Sequence, residues 1–234
     1  MTSILSVDRL HAGYGTSTVV REFSLEVQPG EVIAMLGPNG AGKTTTLLTM
    51  AGLLRPHRGT VRVGGDLVDH RLPHRNARRG VSLVTEDRAL FPQLTVRENL
   101  HLATRGRGHD ANTYFDALDQ LLDRKAGLLS GGEQQMLAIA RALATRPRVL
   151  LIDEMSLGLA PVVVERLAGI VRRVAEELHL AIVLVEQHVP VALSVADRAL
   201  VLRHGETVFS GPASDLAGDA ELLHRSYFGV AAAH

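Results

Sequence analysis

A glycine-rich segment near the start of the chain combines the residue types that bind phosphate. It reads GPNGAGKT over residues 37–44, and it lies between the apolar run 32–36 and a helical pattern that begins at Lys43. Glycines let successive backbone N–H groups curl around phosphate oxygens, a helix N-terminus adds partial positive charge, and a lysine neutralises the outer phosphates. This Walker A pattern, in this context, predicts a nucleotide phosphate site; an ordinary glycine turn is the alternative.

The loop and the first helical residues supply the predicted phosphate ligands. The hydroxyl of Thr44 is expected to bind Mg²⁺ beside the outer phosphates. The predicted nucleotide-binding residues of this segment are Gly37, Pro38, Asn39, Gly40, Ala41, Gly42, Lys43, Thr44 and Thr45.

Two carboxylates follow a second apolar run. Residues 149–152 read VLLI and are followed at once by Asp153 and Glu154. The carboxyl edge of a parallel sheet is where α/β proteins bind ligands. Asp153 is therefore expected to hold Mg²⁺, directly or through water, and Glu154 to orient and polarise the water that attacks the γ-phosphate. By itself, a strand that ends in two acids is more often a solvated strand end.

A third segment reads LSGGEQQ over residues 129–135 and resembles the signature motif of ATP-binding-cassette (ABC) proteins. Ser130 and the amides of Gly131 and Gly132 at a helix N-terminus would form a second anion site. The resemblance implies that this site serves the γ-phosphate of an ATP molecule held by another subunit. Two ATP molecules would then be sandwiched between two ATPase subunits.

The resemblance extends from about Leu5 to Gly229 and is greatest to the ATPase subunits of branched-chain amino acid importers. It implies ATP and Mg²⁺ as cofactors, ATP hydrolysis, and transport of a small solute such as a branched-chain or related amino acid. It implies permease subunits, a second ABC ATPase subunit and, indirectly, a solute-binding protein as partners. The segments that carry it are HAGYG at 11–15, GPNGAGKTT at 37–45, LFPQLTVRENL at 90–100, LSGGEQQMLAIARAL at 129–143, SLGLAP at 156–161 and LVEQH at 184–188.

The resemblance also implies roles for residues outside these phosphate-binding motifs. Tyr14 is expected to stack on adenine, with a packed loop tyrosine as the alternative. Glu86 stands where most cassettes have the glutamine that senses Mg²⁺ and the attacking water. Residues 156–159 would form the loop that communicates between the two subunits of the dimer.

The position of the γ-phosphate switch departs from most cassettes. They have a histidine where this chain has Gln187, and here His188 follows one residue later. Both are candidate catalytic residues. We expect Gln187 to act and His188 to begin a helix, because a shift of one residue turns the side chain away.

Other departures from the family pattern affect the choice between alternative functions. Met155 replaces a proline after the two acids, the loop around Glu86 differs from relatives, and residues 100–129 are about a dozen residues shorter than usual. In the family, the segment that corresponds to residues 100–129 forms the surface that contacts the membrane subunits. These departures leave open a nucleotide-binding partner with weak hydrolysis in a heteromeric complex. A non-transport ABC ATPase is the other alternative to a transporter ATPase.

Strand and helix patterns alternate along the chain, which predicts a parallel sheet covered by helices. With the resemblance, the expected fold is an α/β P-loop NTPase with a mainly parallel sheet core, an N-terminal antiparallel β subdomain and a small helical subdomain. We predict one nucleotide-binding domain over 1–234, with the core at 1–86 and 145–234 and the helical signature subdomain at about 87–144. Predicted strands are 4–10, 23–27, 32–36, 60–63, 148–152, 181–185 and 199–202; predicted helices are 43–50, 162–179 and 190–196.

Two helix starts and the helical insert 87–128 are also predicted. Thr95 with Glu98 and Ser130 with Glu133 fit the capping box. Tyr114, Leu118, Leu121 and Leu122 have helical spacing, residues 105–110 are expected to be a loop, and 230–234 a frayed tail.

Composition excludes several classes of protein. The 25 basic and 25 acidic residues give no net charge, so no nucleic-acid partner is expected. The absence of cysteine excludes disulfides and thiolate metal sites. No apolar run approaches the ~20 residues of a membrane-spanning helix. We expect a cytoplasmic protein that is peripheral on the inner face of the membrane through its permease.

Overall fold

The computed structural model describes residues 3–104 and 114–228 of the 234-residue chain. The predicted loop at 105–110 and the predicted tail at 230–234 lie outside these residues. The strands are β1 (Leu5–Tyr14), β2 (Ser17–Val27), β3 (Val32–Leu36), β4 (Arg58–Val63), β5 (Asp66–Leu67), β6 (Val81–Val84), β7 (Val149–Asp153), β8 (Ala181–Val185), β9 (Arg198–Arg203) and β10 (Glu206–Pro212). The α-helices are α1 (Lys43–Met50), α2 (Pro73–Arg78), α3 (Val96–Thr104), α4 (Gly131–Ala144), α5 (Pro161–Leu178), α6 (Val189–Val195), α7 (Ala213–Gly218) and α8 (Ala220–Phe228).

The central sheet has the strand order β10-β9-β3-β8-β7-β6. All neighbouring pairs in it are parallel except β9 with β10. Every residue of β3, β7 and β8 is buried, because helices or the second sheet cover both faces. The predicted parallel core is confirmed. It brings the carboxyl ends of β3, β7 and β8, and the residues that follow them, to one edge.

A second, antiparallel sheet has the order β2-β1-β4-β5. It packs with α1 on one face of the central sheet through a continuous apolar core that includes Phe23 and Leu47. The predicted strands 4–10 and 23–27 proved too short, because β1 continues to Tyr14 and β2 starts at Ser17. Register shifts between Val7 and Gly13 explain the error, since β-bulges interrupt the two-residue alternation from which strands are predicted.

In the helical part, the described residues form α3, α4 and the 3-10 helices Asp116–Leu121 and Ala126–Leu128. The α-helical spacing inferred around Leu118 is wrong, because that segment is a 3-10 helix. With three residues per turn, Phe115 and Leu118 lie on one face, and both are fully buried in the core. Both predicted capping boxes are present, at Thr95 with Glu98 and at Ser130 with Glu133.

Some elements had no counterpart in the sequence prediction. They are β5, α2, β6, β10, α7 and α8. Most of their residues are exposed or half-buried, so these elements lack the continuous apolar runs that predicted β3, β7 and β8. Across residues 3–104 and 114–228, every helix is too short or too polar to span a bilayer.

Candidate nucleotide site

The phosphate loop connects β3 to α1 and requires glycine for steric reasons. Gly37, Gly40 and Gly42 all have positive φ angles, of 143°, 78° and 104°. A Cβ atom on Gly37 would lie 2.2 Å from the carbonyl oxygen of Leu202. Only glycine combines this conformation with such a close approach. The loop backbone packs tightly against Leu202 at Gly37, whereas the position of Gly40 is open.

Lys43, the first residue of α1, spans the loop. Its Nζ donates to the carbonyl oxygen of Gly37 at 2.6 Å and to that of Pro38 at 3.1 Å. Desolvation by burial lowers the pKa of Lys43, while Glu154 and Asp153 act in the opposite direction. The ammonium group therefore lies among backbone oxygens and acidic side chains, at the place where the sequence predicted a counter-charge for phosphate.

Asp153 ends β7 at the same sheet edge, and its carboxylate fits a divalent cation. It is buried, and it accepts a hydrogen bond from the hydroxyl of Thr44. Its Oδ1 atom is buried without a hydrogen-bond partner among the described residues. Burial raises the pKa of Asp153, and nearby Glu154 and Glu86 add to this rise while Thr44 opposes it. An unpartnered carboxylate oxygen beside a hydroxyl is a donor set that suits Mg²⁺.

Glu154 follows Asp153 in a left-handed backbone conformation with φ of 51°. Its backbone N–H donates to the carbonyl oxygen of Val185 at 2.9 Å. The Nε2 atom of Gln187 donates to its Oε1 atom at 2.6 Å. The structure thus brings Glu154 and Gln187 together, and it places His188 at the N-cap of α6, where the histidine side chain makes no capping bond.

The nucleotide-sized cleft beside these groups has a volume of about 710 Å³. Tyr14 lies at its wall with 53% of its surface exposed. Among the described residues, none from the signature segment 129–135 lines this cleft. The lining residues are Tyr14, Val19, Asn39, Gly40, Ala41, Gly42, Lys43, Thr44, Thr45, Glu86, Glu154, Leu157 and Gln187.

The signature residues form a separate, exposed helix start. Ser130 is the N-cap of α4, and its Oγ accepts a hydrogen bond from the backbone N–H of Glu133 at 3.3 Å. Ser130 and Gly131 are exposed. An exposed helix N-terminus can bind an anion, and this one lies outside the chain's own cleft.

The loop after β6 connects the cleft to α4. Glu86 is exposed at the cleft wall. Two residues later, Arg88 donates from Nε to Gln135 Oε1 at 2.9 Å and from Nη1 to Gln134 Oε1 at 3.1 Å. The loop that carries Glu86 is therefore joined to the signature helix by side-chain hydrogen bonds, which sequence reasoning did not predict.

Sequence reasoning also missed Tyr227 and Glu186. The hydroxyl of Tyr227, in α8, accepts a hydrogen bond from the backbone N–H of Gly37 at 3.2 Å. Glu186 lies between β8 and Gln187 and is 1% exposed. Burial raises the pKa of Glu186, while hydrogen bonds from Ser156 act against this rise. For Glu186, the sequence offered one signal, an acidic residue that directly follows the apolar strand β8 and precedes Gln187.

The contact of Gln187 with Glu154 leads to a prediction about the switch. We expect Gln187→Ala to lower kcat for ATP hydrolysis by about 10- to 100-fold, because it removes a hydrogen bond to a charged group in the site. His188→Ala is the matched control, and it should stay within about twofold because the side chain is exposed and makes no cap bond. Steady-state phosphate release measures both. A collapse in His188→Ala with normal turnover in Gln187→Ala would reverse the assignment.

The fold and the site define a P-loop nucleotide-binding protein of the α/β class. The sequence model of the ABC transporter family matches residues 20–156. The chain belongs to this family and is one of its ATP-binding, ATP-hydrolysing subunits.

The relatives of this chain serve transport systems of several kinds. It is 38% identical over 215 residues to the high-affinity branched-chain amino acid transport ATP-binding protein BraG of Pseudomonas aeruginosa, covering 88% of this chain and 91% of the relative. It is 34% identical to the probable branched-chain amino acid transport protein LivF of Archaeoglobus fulgidus, covering 91% and 94%. It is 31% identical to the lipopolysaccharide export ATP-binding protein LptB of Haemophilus influenzae, covering 97% and 98%.

Solved structures share the fold over most of the chain. A nucleotide-free ATP-binding cassette from an ABC transporter superposes with a TM-score of 0.82 at 22% identity, covering 95% of this chain and 98% of that one. A bacterial ABC transporter cassette solved in dimeric form superposes with a TM-score of 0.79 at 25% identity, covering 89% and 98%. The predicted fold class is confirmed.

Proposed function

We propose that this subunit powers the transport of a small solute, with branched-chain or related amino acids as the solute class. BraG and LivF, with 38% and 34% identity, support this class. LptB, at 31% identity, and the putative 2-aminoethylphosphonate import ATP-binding protein PhnT of Salmonella choleraesuis, at 35% identity, are related to the chain at a similar level. One observation supports ATP-driven transport most strongly. Four side chains lie together at one sheet edge, those of Lys43, Asp153, Glu154 and Gln187.

In this proposal each side chain at the edge has one task. The loop amides and Lys43 bind the β- and γ-phosphates of ATP. Thr44 and Asp153 hold Mg²⁺, which when bound neutralises charge on the phosphate oxygens. Glu154 accepts a hydrogen bond from the attacking water and polarises it, and Gln187 fixes the Glu154 carboxylate while it does so. Tyr14 offers its exposed ring to adenine.

We further propose that two copies, or this chain and a related subunit, close on two ATP molecules. The cleft lacks a wall from the signature segment, while Ser130 begins an exposed helix that suits an anion. A partner's Ser130 would complete each site. Closure with ATP and reopening after hydrolysis would drive the attached membrane subunits between two states.

The proposed permease surface is a groove of about 370 Å³ between β6, α3 and α4. Two exposed apolar side chains line it, Phe91 at 51% and Leu102 at 50% exposure. Arg141 lies 5.7 Å from the centroid of the Phe91 ring, and its Nη1 atom is buried without a hydrogen-bond partner among the described residues. An apolar surface lined by a guanidinium suits a short cytoplasmic helix of the permease that carries an acidic residue. Through it the protein would lie on the inner membrane face, with a solute-binding protein as an indirect partner.

Co-purification from membranes tests this proposal. The tagged wild-type protein is expected to co-purify with membrane-spanning subunits. Identification of these subunits, followed by a transport assay with amino acids, would test the solute class. Leu102→Asp should lose these subunits while ATP hydrolysis stays within about twofold, because the residue is exposed and away from the cleft. Leu178→Asp, at an exposed leucine of α5 outside the groove, is the matched control. Retention of the subunits by Leu102→Asp would contradict the proposed surface.

A further inference from the structure

The most buried acidic side chain at the site edge belongs to Glu186, a residue with no role in the proposed chemistry. Its two carboxylate oxygens each accept one hydrogen bond from Ser156: Oε1 from the backbone N–H at 2.8 Å and Oε2 from the hydroxyl at 2.6 Å. The backbone N–H groups of Gln187 and His188 also interact with this carboxylate. Burial of a carboxylate is costly, and these hydrogen bonds compensate for it.

These hydrogen bonds join the two segments that carry the proposed catalytic pair. Glu154 lies two residues before Ser156, and Gln187 directly follows Glu186. The same segments are joined by the bond from the backbone N–H of Glu154 to Val185 and by the bond from Gln187 to Glu154. Ser156 also begins the loop 156–159, where its carbonyl oxygen accepts a hydrogen bond from the N–H of Leu159 at 3.2 Å. A shift of this loop would move Glu154, whose left-handed backbone is maintained only by its surroundings.

We propose that Glu186 is a positioning residue: it holds the loop that begins at Ser156 against the end of β8, so that Glu154 and Gln187 keep their mutual hydrogen bond. This inference rests on the proposed role of Glu154 in hydrolysis. A two-oxygen acceptor fixes both the backbone and the hydroxyl of Ser156, which an apolar side chain cannot do. An apolar side chain of similar size would fill the same space, but it would leave the N–H and hydroxyl of Ser156 without these acceptors.

The test separates kcat from nucleotide affinity and from stability. Glu186→Leu is expected to lower kcat by about 10- to 100-fold, because two hydrogen bonds to the loop are lost. The dissociation constant for ATP should change by less than about threefold, because the phosphate loop is untouched, and the melting temperature should fall only as far as it does for a buried carboxylate outside the site, since donors are left unpaired in both cases. Glu186→Gln keeps one acceptor oxygen and should give an intermediate kcat.

A double-mutant cycle identifies the contact itself. Ser156→Ala removes the hydroxyl bond and should lower kcat in the wild-type background but have no further effect in Glu186→Leu. Glu31 provides a matched control, since this largely buried carboxylate accepts a hydrogen bond from the backbone N–H of Gln28 and pairs with Arg198 away from the site. Glu31→Leu should lower the melting temperature and leave kcat unchanged.

Two results would overturn the inference. One is normal kcat in Glu186→Leu, and the other is a parallel loss of stability and ATP affinity, which would make Glu186 a purely structural residue. Failure of the proposed function looks different, since the wild-type protein would then not hydrolyse ATP, or Glu154→Gln would hydrolyse it normally.

Discussion

Glu154→Gln is expected to bind Mg-ATP with wild-type affinity and to lose roughly 10²- to 10⁴-fold in kcat, the contribution typical of a general base. The amide has the same shape as the carboxylate, and its oxygen can still accept the 2.6 Å hydrogen bond from Gln187. What disappears is the negative charge that polarises the attacking water. Lys43 and the loop amides, which bind the phosphates, are unchanged.

The measurement is steady-state phosphate release together with equilibrium nucleotide binding. Glu165→Gln is the matched control, because Glu165 is an exposed glutamate of α5 and should keep normal turnover. Unchanged turnover in Glu154→Gln would remove Glu154 from its proposed role. A wild-type protein that binds ATP but barely hydrolyses it would favour the alternative of a weakly active partner in a heteromeric complex.

Ser130→Asp is expected to lower turnover by about 10²-fold or more while each subunit still binds ATP. Aspartate is as good an N-cap as serine, so α4 should keep its start. The substitution, however, places a negative charge where the partner's γ-phosphate should lie, and like charges across an interface cost several kcal/mol. Hydrolysis would fail because the sandwich cannot close.

The second capping box of the chain provides the control. Thr95 caps α3 in the same way, with the N–H of Glu98 donating to its hydroxyl at 3.1 Å. Thr95→Asp therefore makes the same chemical change at a helix start without an assigned phosphate, and it should hydrolyse ATP normally. Equal losses in the two variants would show that the effect of Ser130→Asp arises from the fold rather than from the nucleotide.

The phosphate loop, the two acids at the end of β7 and the signature helix were predictable because each is local. A few consecutive residues set the glycine turn, the strand end or the capping box, and the parallel sheet follows from alternating strands and helices. The shared edge then follows as well, since parallel strands end on the same side. This is why Lys43, Asp153 and Glu154 could be placed together from sequence.

The contacts that support the site were not predictable, because they join residues far apart in the chain. Tyr227 and Gly37 are 190 positions apart, Arg88 and Gln134 are 46 apart, and Ser156 and Glu186 are 30 apart. No local pattern encodes such pairs, since packing of whole elements brings them together. The 3-10 helix at Leu118 and the bulged strand β1 were missed for a related reason, because tertiary packing changed the local period.

We propose above all that ATP is held between the phosphate loop of one subunit and Ser130 of its partner. The most direct test uses purified Glu154→Gln with and without Mg-ATP. Light scattering gives its molecular mass, and a separate assay of the isolated protein gives the amount of bound nucleotide. We predict a monomer without nucleotide, a dimer that retains two ATP molecules with it, and a monomer in both conditions once Ser130→Asp is added. A protein that binds ATP but stays monomeric, or a dimer that forms equally well with Ser130→Asp, would contradict the account.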